Sequence, residues 1–215
     1  MADLGGEAKE LLRLGGRSCL DRVLDEAFAT CDDVVVVTSE AKPSVAALAS
    51  ERGARGAIQR APNGVVDALL SADPEGDVVV LLGDCAFPED APSPRLAAAL
   101  AAHDGAVAFV TTDDAGTRTY GIGEATDGIL KSLREKPGPA VPSRLAVAGR
   151  YALSAALVGE IRARHAAGLA PDFPLTALLG EFVADGRRIA AVEVVGPRGD
   201  VGSPREYAEA SSLAW

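Results

Sequence analysis

Apolar and polar positions along this chain follow two rhythms that take turns. Residues 33–38 (DVVVVT), 78–83 (VVVLLG) and 106–112 are runs of branched or small apolar side chains with no polar alternation, the pattern of strands covered on both faces. Between them, residues 17–31 place Leu20, Val23, Leu24, Ala27 and Phe28 at helical spacing, with Asp21, Asp25 and Glu26 on the other side. Further helices are expected over 44–51, 65–72 and 94–103, and a short strand over 54–58. Strands alternating with helices predict an α/β fold: a doubly wound, mostly parallel, Rossmann-like sheet with right-handed crossovers.

After residue 112 the texture changes. Residues 120–124 and 129–134 flank Asp127-Gly128, a strong hairpin signal, so an antiparallel excursion is expected over about residues 120–153, its last strand at 144–153. Ser154 is placed to cap a helix to about residue 166, residues 174–185 form another stopped by Gly186, and 189–195 a final strand. Ser203-Pro204-Arg205-Glu206 is a capping box that opens a terminal helix. Residues 7–16 are too short a periodic stretch for a stable helix. Neither a repeat nor a linker divides the chain, so residues 1–215 read as a single domain.

Charge and cysteine content narrow the function. A formal net charge of -10 and a pI near 4.7, without any basic cluster, argue against nucleic acid or an anionic membrane as partner and leave small molecules as the expected ligands. Three cysteines without metal-ligand spacing and two distant histidines suggest neither a disulfide framework nor a zinc site. Residues 1–16 lack the features of a signal peptide and no apolar run reaches the ~20 residues of a membrane span, so a cytoplasmic location, with a possible homo-oligomer, is expected.

Candidate chemistry begins at Asp84, which the run 78–83 delivers to the carboxyl edge of the sheet, where ligands bind in open α/β folds. Asp200, in Gly-Asp-Val-Gly just after the last strand, can reach the same edge. Two carboxylates there repel unless a divalent cation such as Mg²⁺ lies between them; as a turn residue beside Gly199 and Gly202, Asp200 has a plainer explanation. Lys9, Lys136, Gly64 and Gly121 suit a phosphate ligand, by point charge and by close backbone approach. Cys85 reads as a small core residue rather than a nucleophile, and His103 and His165 carry no assigned role.

Taken in order, these segments resemble the sugar-1-phosphate nucleotidylyltransferases, which form a nucleotide sugar and pyrophosphate from a nucleoside triphosphate and a sugar 1-phosphate. Lys9-Glu-Leu-Leu is similar to the family's PKxLLP segment, with Arg13 in place of its second proline. The stretch 59–64 with Asp67-Ala68 resembles the base-binding turn, and Leu82-Gly83-Asp84 the metal-binding LGD. Tyr120-Gly121 and Glu135-Lys136-Pro137 resemble the YG and EKP pair, residues 144–151 (RLAVAGRY) the sugar-pocket strand, and Asp200-Val201-Gly202 the second metal segment. The resemblance implies catalytic roles for Lys9, Asp84 and Asp200, with Mg²⁺ on the two carboxylates. It further implies nucleotide binding by Gln59 and Gly64, and sugar-phosphate binding by Gly121, Glu135, Lys136 and Gly149.

The family's opening strand and its glycine-rich loop ending in Gly-Thr-Arg have no counterpart before Lys9, since Met1 stands only eight residues ahead of it. Losing a central strand forfeits on the order of 6 to 15 kcal/mol of apolar burial, comparable with the whole stability of a domain. The expectation is that Met1 is internal to a longer reading frame. The alternative is a degenerate, non-catalytic homologue that binds a nucleotide, a sugar phosphate or a partner protein.

Overall fold

The computed structural model describes residues 8–170 and 172–215. A 3-10 turn at Lys9–Leu11 leads into a small hairpin, β1 (Arg13–Leu14) and β2 (Arg17–Ser18). There follow α1 (Cys19–Thr30), β3 (Val35–Thr38), α2 (Pro43–Glu51), β4 (Arg55–Ile58), α3 (Gly64–Ser71), β5 (Val78–Leu81), β6 (Cys85–Ala86), α4 (Ser93–Ala99) and β7 (Gly105–Thr111). The excursion comprises β8 (Ile122–Thr126), β9 (Ile129–Arg134) and β10 (Leu145–Leu153). The chain closes with α5 (Ala155–Ala166), α6 (Leu175–Ala184), β11 (Ile189–Glu193), β12 (Gly199–Asp200) and α7 (Pro204–Ser211).

The expected signals act as written. Asp127 and Gly128 both adopt positive φ, at 51° and 73°, as the tight turn between β8 and β9 requires. Ser154 and Ser203 each accept a hydrogen bond from the backbone N–H three residues on, which starts α5 and α7, and Ser18, not singled out in the sequence, does the same for α1. Among the described residues no helix is long and apolar enough to cross a membrane.

The α/β class stands, but the directions of pairing differ from a mostly parallel sheet. The main sheet has six strands in the order β5-β10-β7-β11-β9-β8, and within it only β7 and β11 run parallel. The reason is β10. The excursion does not stay at the periphery: its last strand inserts antiparallel between β5 and β7, where the crossover pattern alone would have set two parallel neighbours side by side. A second parallel pair, β3 with β4, forms a separate two-stranded sheet.

A further correction concerns burial. Val78 to Leu81 and Val35 to Val37, expected to be covered on both faces, are only half-buried. Among the described residues β5 pairs only with β10, and β3 only with β4, so each has an open edge. Strand β7 is the contrast. Its Ala106 and Ala108 face Leu96 of α4 with Ala148, Ala152 and Ala190, a layer of small side chains that lets the helix lie close. Its Val107 and Phe109 point the other way, into a core with Leu157 and Ile161 of α5 and Leu178 and Phe182 of α6. All four β7 side chains are fully buried.

Candidate functional site

Strand β5 ends at Leu81, and the next residues are held at successive points. The Leu82 N–H donates to Gly149 O at 3.0 Å, and Asp84 O accepts from the Val201 N–H at 2.9 Å. The two-residue strands β6 and β12 then pair antiparallel, setting Cys85 opposite Asp200. This short ladder brings two carboxylates, distant in sequence, to one place. The meeting of Asp84 and Asp200 was expected from the sequence; the β6–β12 ladder that achieves it was not, because residues that far apart carry no local periodicity.

Asp84 and Asp200 line a cavity of about 170 Å³ together with Leu82, Cys85, Tyr120, Gly149, Arg198 and Glu206. Each carboxylate already faces a cation. The Lys9 ammonium lies 2.5 Å from Asp84 Oδ2, and Arg198 Nε lies 2.7 Å from Asp200 Oδ2. Arg198 also donates to Val147 O at 3.0 Å and stacks over the Tyr120 ring at 4.3 Å, and the Tyr120 hydroxyl donates to Glu206 at 3.1 Å. Sequence reasoning assigned no role to Arg198, although it stands two residues before the candidate Asp200; Tyr120 entered only through the YG resemblance and Glu206 only as part of the capping box.

Burial and charge compete throughout this cluster. Burial acts to lower the Lys9 pKa, but the Asp84 carboxylate outweighs it and leaves Lys9 above its ordinary value. For Asp200 burial dominates: its pKa is raised even though Arg198 pulls the other way. Burial pushes the Tyr120 hydroxyl up to about 12 and the Cys85 thiol well above its usual value. Cys85 is therefore a protonated core residue, its thiol directed at Ala148 O, as expected from the sequence.

The other candidates sit elsewhere. Gln59 and Gly64 are brought together: the Gln59 side chain donates to Gly64 O and to Asp67, each at 2.9 Å, at the carboxyl end of β4. Gln59 also lines a shallow recess of about 550 Å³ with Ser39, Glu40, Ala41 and Arg60, above the carboxyl ends of β3 and β4. Glu135 and Lys136 follow β9, pair with each other at 3.5 Å, and line neither the cavity nor the recess. Gly121 has a packing reason of its own, since a Cβ there would lie 2.3 Å from Thr176 Cγ2, while its carbonyl accepts from Val147. Gly149 adopts φ +70° at the register shift in β10, and a side chain would meet Leu82.

Lys9 and its neighbour Glu10 reach in different directions. Lys9 takes the loop after β5 through Asp84, and Glu10 takes the loop after β3 through Lys42 at 2.7 Å. The other Glu10 oxygen and the Thr38 hydroxyl at the end of β3 are buried without a hydrogen-bond partner among the described residues.

No group of three or more His, Cys, Asp or Glu is placed to hold a metal among the described residues. Asp84 and Asp200 alone, two hard oxygen donors on one cavity, fit Mg²⁺, which takes one or two carboxylates and completes its shell with water and phosphate oxygens.

The chain belongs to the MobA-like NTP transferase domain family, whose model matches residues 3–170. Comparison with curated proteins gave no match. Among solved structures it is similar to a UDP-glucose pyrophosphorylase complexed with UDP-glucose, with a TM-score of 0.77 at 25% identity over 94% of this chain and 88% of that one. It is also similar to UDP-glucose pyrophosphorylase from Acinetobacter baumannii, with a TM-score of 0.77 at 22% identity over 96% and 85% of the two chains. A UTP-bound form from the same organism gives a TM-score of 0.79 at 20% identity over 98% and 87%. The nucleotidyltransferase family expected from the motifs is the one these findings support.

Proposed function

We propose that this chain transfers a nucleotidyl group from a nucleoside triphosphate to a sugar 1-phosphate, releasing pyrophosphate, with Mg²⁺ bound by Asp84 and Asp200. The observation that carries the reading is the pair of carboxylates on one cavity at the carboxyl edge, each held against a cationic side chain. A phosphate oxygen of the sugar 1-phosphate attacks the α-phosphorus in line, and the bond from that phosphorus to the pyrophosphate oxygen breaks. Nothing covalent is required of the protein, so its part is positioning and charge. The cation, when bound, neutralises charge developing on the phosphate oxygens.

Lys9 is the natural point charge for the nucleotide phosphates, because its raised pKa keeps it protonated at neutral pH. By the family resemblance Gln59 and Gly64 take the base, Gly121, Gly149 and Glu135 the sugar, and Lys136 its phosphate. The recess above β3 and β4 lends support for the base. Uridine or thymidine triphosphate with glucose 1-phosphate are the substrates of choice, following the UTP and UDP-glucose bound by the similar structures.

The test is pyrophosphate release from UTP or dTTP and glucose 1-phosphate with and without Mg²⁺. Asp84→Asn and Asp200→Asn should each lower turnover by about 10²-fold or more. Turnover unchanged in either variant would remove the metal assignment. Sugar-phosphate binding with no Mg²⁺-dependent response to the triphosphates would instead favour the non-catalytic homologue.

A further inference from the structure

Arg150 heads the fully buried side chains of this protein by volume, and the chemistry above makes no use of it. It lies on β10 directly after Gly149, where the register shift turns its side chain inward beneath the loop that carries Asp84. Its Nε and Nη2 both donate to Glu26 Oε2, at 3.0 and 2.9 Å. Nη1 donates to Leu82 O at 3.2 Å and Gly149 O at 3.1 Å, and Nη2 to Cys85 O at 2.7 Å. Glu26, itself buried on α1, is fixed in turn by the Ser93 N–H and hydroxyl at the start of α4.

The two loop carbonyls that receive Arg150 belong to Leu82 and Cys85, the residues on either side of Gly83-Asp84. One planar fork therefore grips the turn at both ends, while the Asp84 side chain between them lines the cavity and meets Lys9. Burying a charge pair is a poor way to gain stability, since apolar residues of similar volume do as well or better. A fork that reaches two carbonyls at a set spacing gains something else, a defined turn. We propose that the Arg150–Glu26 pair is a positioning device that sets the Gly83-Asp84 turn and so the direction of the Asp84 carboxylate. The inference rests on the reading of Asp84 as a cation ligand.

Mn²⁺ serves as the probe, with its dissociation constant read by electron paramagnetic resonance and folding read by circular dichroism and Tm. The double variant Glu26→Leu/Arg150→Met removes both buried charges at once. It should fold, with Tm lowered by the Leu82, Cys85 and Ser93 polar groups left without these partners, and bind Mn²⁺ about tenfold more weakly, as loss of an outer-shell partner does. A purely structural pair would move Tm and leave the dissociation constant alone, so unchanged affinity in the folded double variant overturns the proposal. Arg150→Lys keeps a charge opposite Glu26 but has no fork to reach both carbonyls, and answers the question should the double variant not fold. Weaker Mn²⁺ binding in that variant is expected, and wild-type affinity would overturn the proposal. A wild type that binds no Mn²⁺ would overturn the metal reading and this inference with it, whereas Asp84-dependent binding that both variants retain would overturn this inference only.

Discussion

Strands β3 and β7 carry nearly the same message in sequence and meet different fates. Both are apolar runs with no polar alternation. In β7, Ala106 through Phe109 lose all contact with water, because β10 and β11 flank the strand and helices cover both faces. In β3, Val35 to Val37 stay half-buried beside a single partner among the described residues, and β5 shares that condition. Helix α1 lies over both open-edged strands, packing Leu20 and Leu24 against Val34 and Val36 and also touching β5. The difference teaches that an apolar run states what a strand can bury, and its neighbours decide how much it does. It also bears on the site: Asp84 and Gln59 both follow open-edged strands, β5 and β4.

The sharpest way to break this contrast is to truncate one side chain in each region. Phe109→Ala should cost about 3–5 kcal/mol, whereas Val36→Ala should cost about 1 kcal/mol or less, read as denaturation midpoints at constant slope. Equal losses would mean that β3 is as well covered as β7. Amide exchange checks the same point without mutation. Protection in β7 and β10 should follow global unfolding, and β3 should open at a free energy several kcal/mol lower.

Next in size is the effect of a divalent cation. Mn²⁺ at about a hundred times its dissociation constant should stabilise the protein by about 2.7 kcal/mol, seen as a rise in Tm. The sign with pH follows from Asp200. Its pKa is raised by burial above the ordinary 3.8, so its protonated form favours folding below that value and the contribution is lost as pH rises through the folded value. The cation needs the ionised form. The Mn²⁺-induced rise in Tm should therefore shrink on acidification, and a rise that does not depend on pH would remove Asp200 from the cation's ligands.

The smallest effect sharpens the boundary between the regions. Gly149→Ala forces a side chain into positive φ and against Leu82, which should cost about 1 kcal/mol or somewhat more. Because Gly149 O holds the Leu82 N–H, Mn²⁺ affinity should fall with stability. Unaltered affinity would show that the Asp84 loop does not lean on β10 there.

Much of this was legible in the sequence because it is local. Helical spacing marked α1, the Asp127-Gly128 turn marked the hairpin, and Ser203 with Glu206 marked the last helix. Candidates Lys9, Asp84 and Asp200 were visible as motif residues, and the structure sets Asp84 and Asp200 on one cavity with Lys9 paired to Asp84, while Glu135 and Lys136 stand apart from it. What could not be read was long-range. The β6–β12 ladder is two residues long, and Arg150 meets Glu26 from 124 positions away, so neither leaves a period or a spacing to find. The insertion of β10 into the sheet was hidden for the same reason, since strand order is a property of the whole chain.

Lys9 and Glu10 are consecutive, yet one holds the loop after β5 and the other the loop after β3. Those loops are thus joined through a single peptide unit, about 3.8 Å of backbone with almost no slack. Their separation is limited to the reach of the Lys9, Glu10 and Lys42 side chains while both ion pairs are closed, so the 3-10 turn at Lys9–Leu11 is a tether with two releasable ends. An anion that draws Lys9 away from Asp84 unfastens one end only: the Glu10–Lys42 contact keeps its hold on the other, and the β5 loop stays on Arg150 and its backbone bonds while the Asp84 carboxylate is released.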